Sequence, residues 1–140
     1  MTLKRLFIDN NIILDLLAKR KPYYDAASVL FSLGDKGKVK LSVSSLTFIN
    51  THYVLAKLKS KEKSREILRK FKMLVKVSSC NEKIIDLALN DRDFPDFEDS
   101  IQYLSATENR QDAIITRNIR DFKYSKIPVM TAEDFLKLND

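Results

Sequence analysis

The chain is poor in the residues that build the commonest cofactor sites. It has one cysteine, Cys80, and one histidine, His52, which excludes an internal disulfide and a cysteine–histidine zinc set. It has only two glycines, too few for a Walker-type phosphate loop or a dinucleotide-binding fingerprint. Apolar runs are short, because Asp9 and Asp15 interrupt the one near the start, and we expect no secretory or membrane-spanning segment. From these absences we expect a cytoplasmic protein.

The length and composition are those of one globular domain. The chain has 140 residues, of which 44% are hydrophobic and 31% are charged. A chain of this length is long enough for one hydrophobic core and too short for two. We therefore expect a single domain over residues 1–140.

The positive charge is concentrated in residues 57–76, the basic segment. Nine lysines and arginines there face two glutamates, a local charge of +7 within a chain of net charge +6. Such a segment is most often a solvated helix face, with Glu66 pairing Lys70 or Arg69. The other interpretation is a surface for RNA phosphates or an acidic partner protein. The candidates for that surface are Lys57, Lys59, Lys61, Lys63, Arg65, Arg69 and Lys70.

Strand-like and helix-like hydrophobic patterns alternate along the chain. Short apolar runs predict strands at residues 4–8, 40–43, 75–77, 113–116 and 129–130. Between these runs, apolar residues recur at helical spacing. This spacing predicts that Asp15 faces outward on the first helix and that Ile49 and Tyr53 face inward on the third. Ser79 and Glu82 predict a capping box. The alternation predicts an α/β fold with a mainly parallel sheet that helices cover on both faces.

Negative charge is concentrated in residues 91–99, the acidic segment, where five of nine residues are carboxylates. Pro95 and Asp96 are typical of a helix start, and one or two acids there would serve as caps. The surplus indicates a bound cation, because like charges gathered in one place repel. On the helix that follows, Asp99 shares a face with Gln102.

Other polar residues follow the ends of predicted strands. Asp9 follows the first strand, while Asn118 and Asp121 follow the strand that ends at Thr116. The carboxyl ends of parallel strands meet at one edge of the sheet, where ligands bind, and short loops would bring the acidic segment to the same cleft. Oxygen ligands without cysteine or histidine suit Mg²⁺ or Mn²⁺. The residues therefore predict metal-dependent phosphodiester hydrolysis.

Three segments resemble the PIN domain, in its VapC-like branch of bacterial toxins from type II toxin–antitoxin pairs. Their sequences are FIDNNIILDLL (residues 7–17), DFEDSIQ (96–102) and IITRNIRDF (114–122). The resemblance runs from the first strand to the terminal helix. It implies a three-layer α/β/α sandwich, a Mg²⁺ or Mn²⁺ cofactor and endonucleolytic cleavage of single-stranded RNA. It also implies a homodimer and inhibition by a cognate antitoxin protein.

The resemblance assigns roles to residues at matching positions. It implies that Asp9 and Asp99 bind metal directly and that Asp121 holds it through water or positions the nucleophile. Asp96 is a further candidate for the metal site. The remaining candidates are Thr116 and Asn118 as catalytic residues, and Asn11, Asn50 and Arg117 as supporting or substrate-contacting residues.

Two positions depart from the family pattern. The family commonly has a glutamate three residues after a threonine in the third helix, whereas Thr47 is followed here by Asn50. Asn118 stands where many relatives have aspartate. Each change removes a negative charge that would favour metal binding. They support an alternative, a PIN-fold module that binds RNA or a protein without cleavage. An Asp-nucleophile phosphatase is a weaker alternative, because Asn11 replaces the second aspartate that this chemistry usually needs.

Overall fold

The computed structural model describes residues 3–138 and contains a five-stranded sheet. The strands are β1 (Arg5–Ile8), β2 (Lys40–Ser44), β3 (Lys76–Ser78), β4 (Ala113–Ile115) and β5 (Val129–Met130). The α-helices are α1 (Asn10–Leu17), α2 (Tyr24–Asp35), α3 (Ser45–Leu58), α4 (Lys61–Lys72), α5 (Glu82–Leu89), α6 (Phe97–Glu108) and α7 (Ala132–Leu138), with a short 3-10 helix at Ile119–Phe122. All strand pairs are parallel, in the order β3-β2-β1-β4-β5, and the predicted α/β fold is confirmed.

The sheet is buried on both faces because its strands send alternate apolar side chains to opposite sides. In β1, Leu6 and Ile8 join one hydrophobic core with residues of α1 and α2, whereas Phe7 joins a second core with Ala106 of α6. Full burial of such a side chain contributes about 1.5–3 kcal/mol, so helices on either face are held to the sheet. The three-layer α/β/α arrangement is confirmed.

The strand order changes direction at β1, and this change creates the crevice for the site. The chain passes from β1 to β2 on one side, while β4 pairs with β1 on the other side, with Ile8 opposite Ile115. Loops that leave such neighbouring strands diverge, and a crevice opens at their carboxyl ends. Asp9 and Thr116 are the first residues after β1 and β4, so the topology brings them together.

The helices are short, and the longest, α3, has 14 residues. A membrane-spanning helix needs about 20 consecutive, mainly apolar residues. Within residues 3–138, no helix meets the length and hydropathy required to cross a bilayer.

The predicted capping box at the start of α5 is wrong. The helix begins at Glu82, and its cap is Asn81, whose side-chain oxygen accepts a hydrogen bond from the backbone amide of Ile84 at 3.0 Å. Asparagine caps a helix as well as serine does, and Asn81 directly precedes the first helical residue. Ser79 lies further back, outside the helix, so the serine–glutamate spacing selected the wrong capping residue.

The predicted inner face of α3 is also wrong. Thr47, Thr51 and Leu55 are buried, whereas Ile49 and Tyr53 are 68% and 65% exposed. Threonine is small and its hydroxyl can be paired inside the protein, as the hydroxyl of Thr47 is by a side chain of α1. A ranking by hydropathy alone therefore selected the wrong face of this helix.

Candidate active site

Asp9 is held in a fixed orientation at the carboxyl end of β1. Its carboxylate is nearly buried, with 7% of the residue exposed. Oδ1 accepts hydrogen bonds from the backbone amide of Asn10 at 2.8 Å and from Nε2 of Gln102 at 3.0 Å. Oδ2 accepts one from the hydroxyl of Thr116 at 2.8 Å. These three hydrogen bonds from neighbouring groups orient the Asp9 carboxylate.

Thr116 is a buried connector between the loops that follow β1 and β4. Its hydroxyl donates to Asp9 and accepts from the backbone amide of Asn118 at 3.0 Å and from Nδ2 of Asn11 at 3.3 Å. This arrangement fixes where the loop after β4 leaves the sheet. The catalytic role of Thr116 stays a prediction.

Asn10 joins three elements around the site. Its Oδ1 accepts a hydrogen bond from the hydroxyl of Thr47 on α3, and its Nδ2 donates to Oε1 of Glu98 on α6 at 3.1 Å. The start of α1 is thereby tied to both neighbouring helices.

Asp99 lies on the first turn of α6 and is half-buried. Burial raises the pKa of Asp99 to about 7, and the nearby charges of Asp96, Asp121, Asp9 and Glu98 add to the rise. These four acids are therefore close enough to Asp99 for their charges to act on it. A bound cation would favour the ionised form of Asp99.

A cleft of about 320 Å³ lies at this edge of the sheet. It brings together five of the candidates, which are Asp9, Asn11, Asn50, Asp99 and Asn118. The other candidates do not line it. Asp96 caps α6 by accepting a hydrogen bond from the backbone amide of Asp99 at 3.1 Å, and Asp121 lies on the short 3-10 helix.

Asp15 does not face outward as predicted. It is 0% exposed, and its two carboxylate oxygens accept hydrogen bonds from Nε and Nη2 of Arg117 at 2.8 and 3.1 Å. The guanidinium carbon of Arg117 lies 4.0 Å from the centre of the Tyr23 ring, and its backbone amide donates to Oδ1 of Asn11 at 3.3 Å. Arg117 thus anchors the loop after β4 to α1 behind the cleft.

The seven candidate residues of the basic segment are all exposed. Lys63 and Lys70 lie 3.6 and 3.8 Å from Glu66, so the predicted pairing of Glu66 with Lys70 is confirmed. Exposed pairs of this kind contribute about 0.2–1 kcal/mol. The role of the segment as a surface for RNA or a partner stays a prediction.

The donor set of the cleft fits a hard divalent ion. Within residues 3–138, no group of three or more His, Cys, Asp and Glu side chains is arranged to hold a metal ion by itself. Mg²⁺ needs no such cage, because it commonly binds through one or two carboxylates and keeps several waters. Burial and the charges of neighbouring acids raise the pKa of Asp99, and such an ion would relieve the repulsion between those charges.

Sequence reasoning missed two residues that shape the site. Gln102 is 2% exposed and donates to Asp9 from α6, three residues after Asp99. The sequence did place Gln102 on the same helix face as Asp99, and this could have identified it as a residue of the site. Glu98 lines the cleft and bonds Asn10, although it was counted only within the acidic segment.

Known proteins resemble this chain over most of its length. Ribonuclease VapC1 of Aquifex aeolicus (strain VF5) is 27% identical over 138 residues, covering 96% of this chain and 95% of that protein. A toxin–antitoxin complex from Klebsiella pneumoniae contains a chain with TM-score 0.68 and 20% identity, covering 91% of this chain and 97% of that chain. The structure of DNA-bound VapBC from Salmonella typhimurium contains a chain with TM-score 0.67 and 18% identity. The match covers 94% of this chain and 99% of that chain. The two structures show a shared fold.

The PIN domain family matches residues 5–120. This range includes the segments 7–17 and 96–102 and most of the segment 114–122. The match agrees with the α/β fold and its parallel sheet. The chain belongs to the PIN domain family.

Proposed function

We propose that this chain is a metal-dependent endoribonuclease that cleaves single-stranded RNA and serves as the toxin of a toxin–antitoxin pair. The observation that carries the proposal is the position of Asp9 and Asp99 in one cleft, where burial and, after it, the charges of neighbouring acids raise the pKa of Asp99 to about 7. A cleft that holds three carboxylates, those of Asp9, Glu98 and Asp99, against one arginine, Arg20, is suited to binding a cation from solution.

Asp9 and Asp99 are the residues that would hold Mg²⁺ or Mn²⁺, with Asp121 and Asp96 contributing through their charge. When bound, such an ion lowers the pKa of a coordinated water and neutralises charge on phosphate oxygens. Gln102 and Thr116 keep the Asp9 carboxylate in one orientation. The amides of Asn50 and Asn118 supply neutral donors to substrate oxygens along the cleft, while the amide of Asn11 donates to Asp9 and Thr116.

Relatives support an antitoxin partner. Solved structures of similar fold are described as toxin–antitoxin complexes and as VapBC bound to DNA. We extend this to the present chain and propose a cognate antitoxin protein and a homodimer. Copurification with a protein encoded beside this chain, followed by loss of RNA cleavage in the complex, would test the partner.

Cleavage of labelled single-stranded RNA with Mn²⁺, Mg²⁺ or EDTA tests the activity. Asp9→Asn and Asp99→Asn should each lower the metal-dependent rate on the order of 100-fold, about 2.7 kcal/mol of transition-state stabilisation. Both should also weaken Mn²⁺ binding in calorimetry. Asp86→Asn is the matched control, because Asp86 is exposed on α5 and does not line the cleft.

Equal rates for wild type and Asp99→Asn would contradict the proposal. RNA binding without metal-dependent cleavage by the wild type would instead identify a PIN-fold binding module.

A further inference from the structure

The side of the cleft formed by α3 differs from the acidic side. Asn50 and Val54 of α3 line the cleft. Tyr53 and Lys57 lie on the same helix face, because residues three or four apart are neighbours on a helix. We call these four residues the α3 stripe. Residues 36–61 contain no aspartate or glutamate, so nothing acidic on this segment opposes a polyanion.

Tyr53 and Lys57 form a contact at the surface. Nζ of Lys57 donates a hydrogen bond to the hydroxyl of Tyr53 at 3.0 Å and lies 4.2 Å from the centre of its ring. Tyr53 is nevertheless 65% exposed. An aromatic ring held by a lysine and open to solvent combines the two groups that bind single-stranded nucleic acids, a stacking surface and a phosphate contact.

We propose that the α3 stripe is the subsite for a nucleotide next to the cleaved phosphate, with the base stacked on Tyr53 and a phosphate at Lys57. The inference rests on the proposed ribonuclease function. RNA is favoured over a protein occupant for two reasons. The stripe begins at the cleft, and its last residue, Lys57, is also the first residue of the basic segment, whose positive charge suits a polyanion. Stacking tolerates any base, so this subsite adds affinity without selecting a sequence.

Binding of a labelled single-stranded RNA of about 12 nucleotides tests the subsite. The Asp99→Asn background keeps the RNA intact during fluorescence anisotropy in Mg²⁺. Tyr53→Ala should weaken binding about tenfold, whereas Tyr53→Phe should retain it because the ring remains. On an abasic ribose-phosphate chain of equal length, Tyr53→Ala should have no effect.

Lys57→Gln tests the phosphate contact separately. It should reduce the slope of log affinity against log salt concentration by about 0.7, the value for one contact to a single strand. Tyr53→Ala should leave that slope unchanged. Tyr124→Ala is the matched control, because Tyr124 is 53% exposed and has Lys123 5.1 Å from its ring but does not line the cleft.

Unchanged affinity in Tyr53→Ala and an unchanged salt slope in Lys57→Gln would overturn the subsite if the wild type cleaves RNA. Absence of metal-dependent cleavage by the wild type would be a failure of the proposed function itself. If Tyr53→Ala and Ile49→Ser both change the oligomeric state and leave RNA affinity unchanged, the surface is a protein interface and the inference is wrong. Thermal melting of each variant verifies that it is folded.

Discussion

The two sides of the cleft are built from the same fold but carry different charge. The side formed by the loop after β1 and the start of α6 holds Asp9, Glu98 and Asp99. The α3 side holds Asn50 and Val54 and lies in a segment without acids. A metal ion is positively charged and an RNA backbone is negatively charged. A cleft therefore binds both more tightly when its acids lie apart from the surface that contacts RNA.

A fourth acid, Asp15, has its charge balanced by another side chain of the protein. It is fully buried and paired in two hydrogen bonds with Arg117, whereas Asp99 is surrounded by other acids. This contrast distinguishes Asp15, which has a structural role, from Asp99, which is a candidate for function. Burial with a cation stabilises charge, and burial among anions prepares a site for a cation.

Removing the cation beside Asp15 should produce the largest effect. Arg117→Met leaves a buried carboxylate unpaired and should lower the free energy of unfolding by about 3–5 kcal/mol in chemical denaturation. Adding Asp15→Asn should recover much of the loss, because the buried charge is then gone. Arg120→Met is the control, since Arg120 is exposed on the neighbouring 3-10 helix and should change stability by about 0.5 kcal/mol or less. A loss below about 1 kcal/mol in Arg117→Met would show that Asp15 needs no partner.

Placing an acid on the α3 side should abolish the charge difference between the two sides. Asn50→Glu adds a carboxylate to the cleft and should tighten Mn²⁺ binding about tenfold, or about 1.4 kcal/mol. Calorimetric titration measures the change. Asn50→Gln has the same side-chain length without charge and should leave the affinity near that of wild type. Equal affinities for the two variants would place Asn50 outside the reach of the ion.

Removing an acid from the other side should have a smaller effect that depends on pH. Because the pKa of Asp99 is raised from 3.8 to about 7, the native state keeps a proton between these values that the unfolded state has released. Wild-type stability should therefore fall as pH rises through this window. In EDTA, Asp99→Asn should be more stable than wild type by about 1 kcal/mol above pH 7 and equal to it near pH 4, after allowance for solvent screening.

Thermal melts across pH, with Asp86→Asn as control, measure that difference. Addition of Mn²⁺ should reduce it by stabilising the ionised wild type. A pH-independent difference would show that the charge of Asp99 is not its cause.

Much of the sheet edge followed from local sequence. Apolar runs ending in polar residues located β1 and β4, and the rule for parallel sheets placed the residues that follow these strands at one edge. The structure adds that the side chains of Asp9 and Thr116 are hydrogen-bonded there at 2.8 Å. The start of α6 followed from Pro95 and Asp96, and Asp96 does cap that helix. Of the four acids expected at the metal site, Asp9 and Asp99 line one cleft, whereas Asp96 and Asp121 do not line it.

Two of the errors occurred where a partner is distant in sequence. Asp15 was expected to face outward because helical periodicity reports which residues are apolar, and it cannot show that Arg117, 102 positions later, supplies a compensating charge. The face of α3 was misjudged because Thr47 is buried through a hydrogen bond to Asn10, which is 37 positions away. Pairing across such separations depends on the packed fold.

The sequence alone determined the order of strands and helices, the parallel sheet and the concentration of acids in one segment and of basic residues in another, because each follows from neighbouring residues. Only the tertiary structure decided which carboxylate is neutralised and which is crowded. It also decided that an exposed tyrosine and lysine extend from the same cleft. The physical reason is that burial and electrostatic repulsion depend on distances through space, which spacing along the chain does not fix.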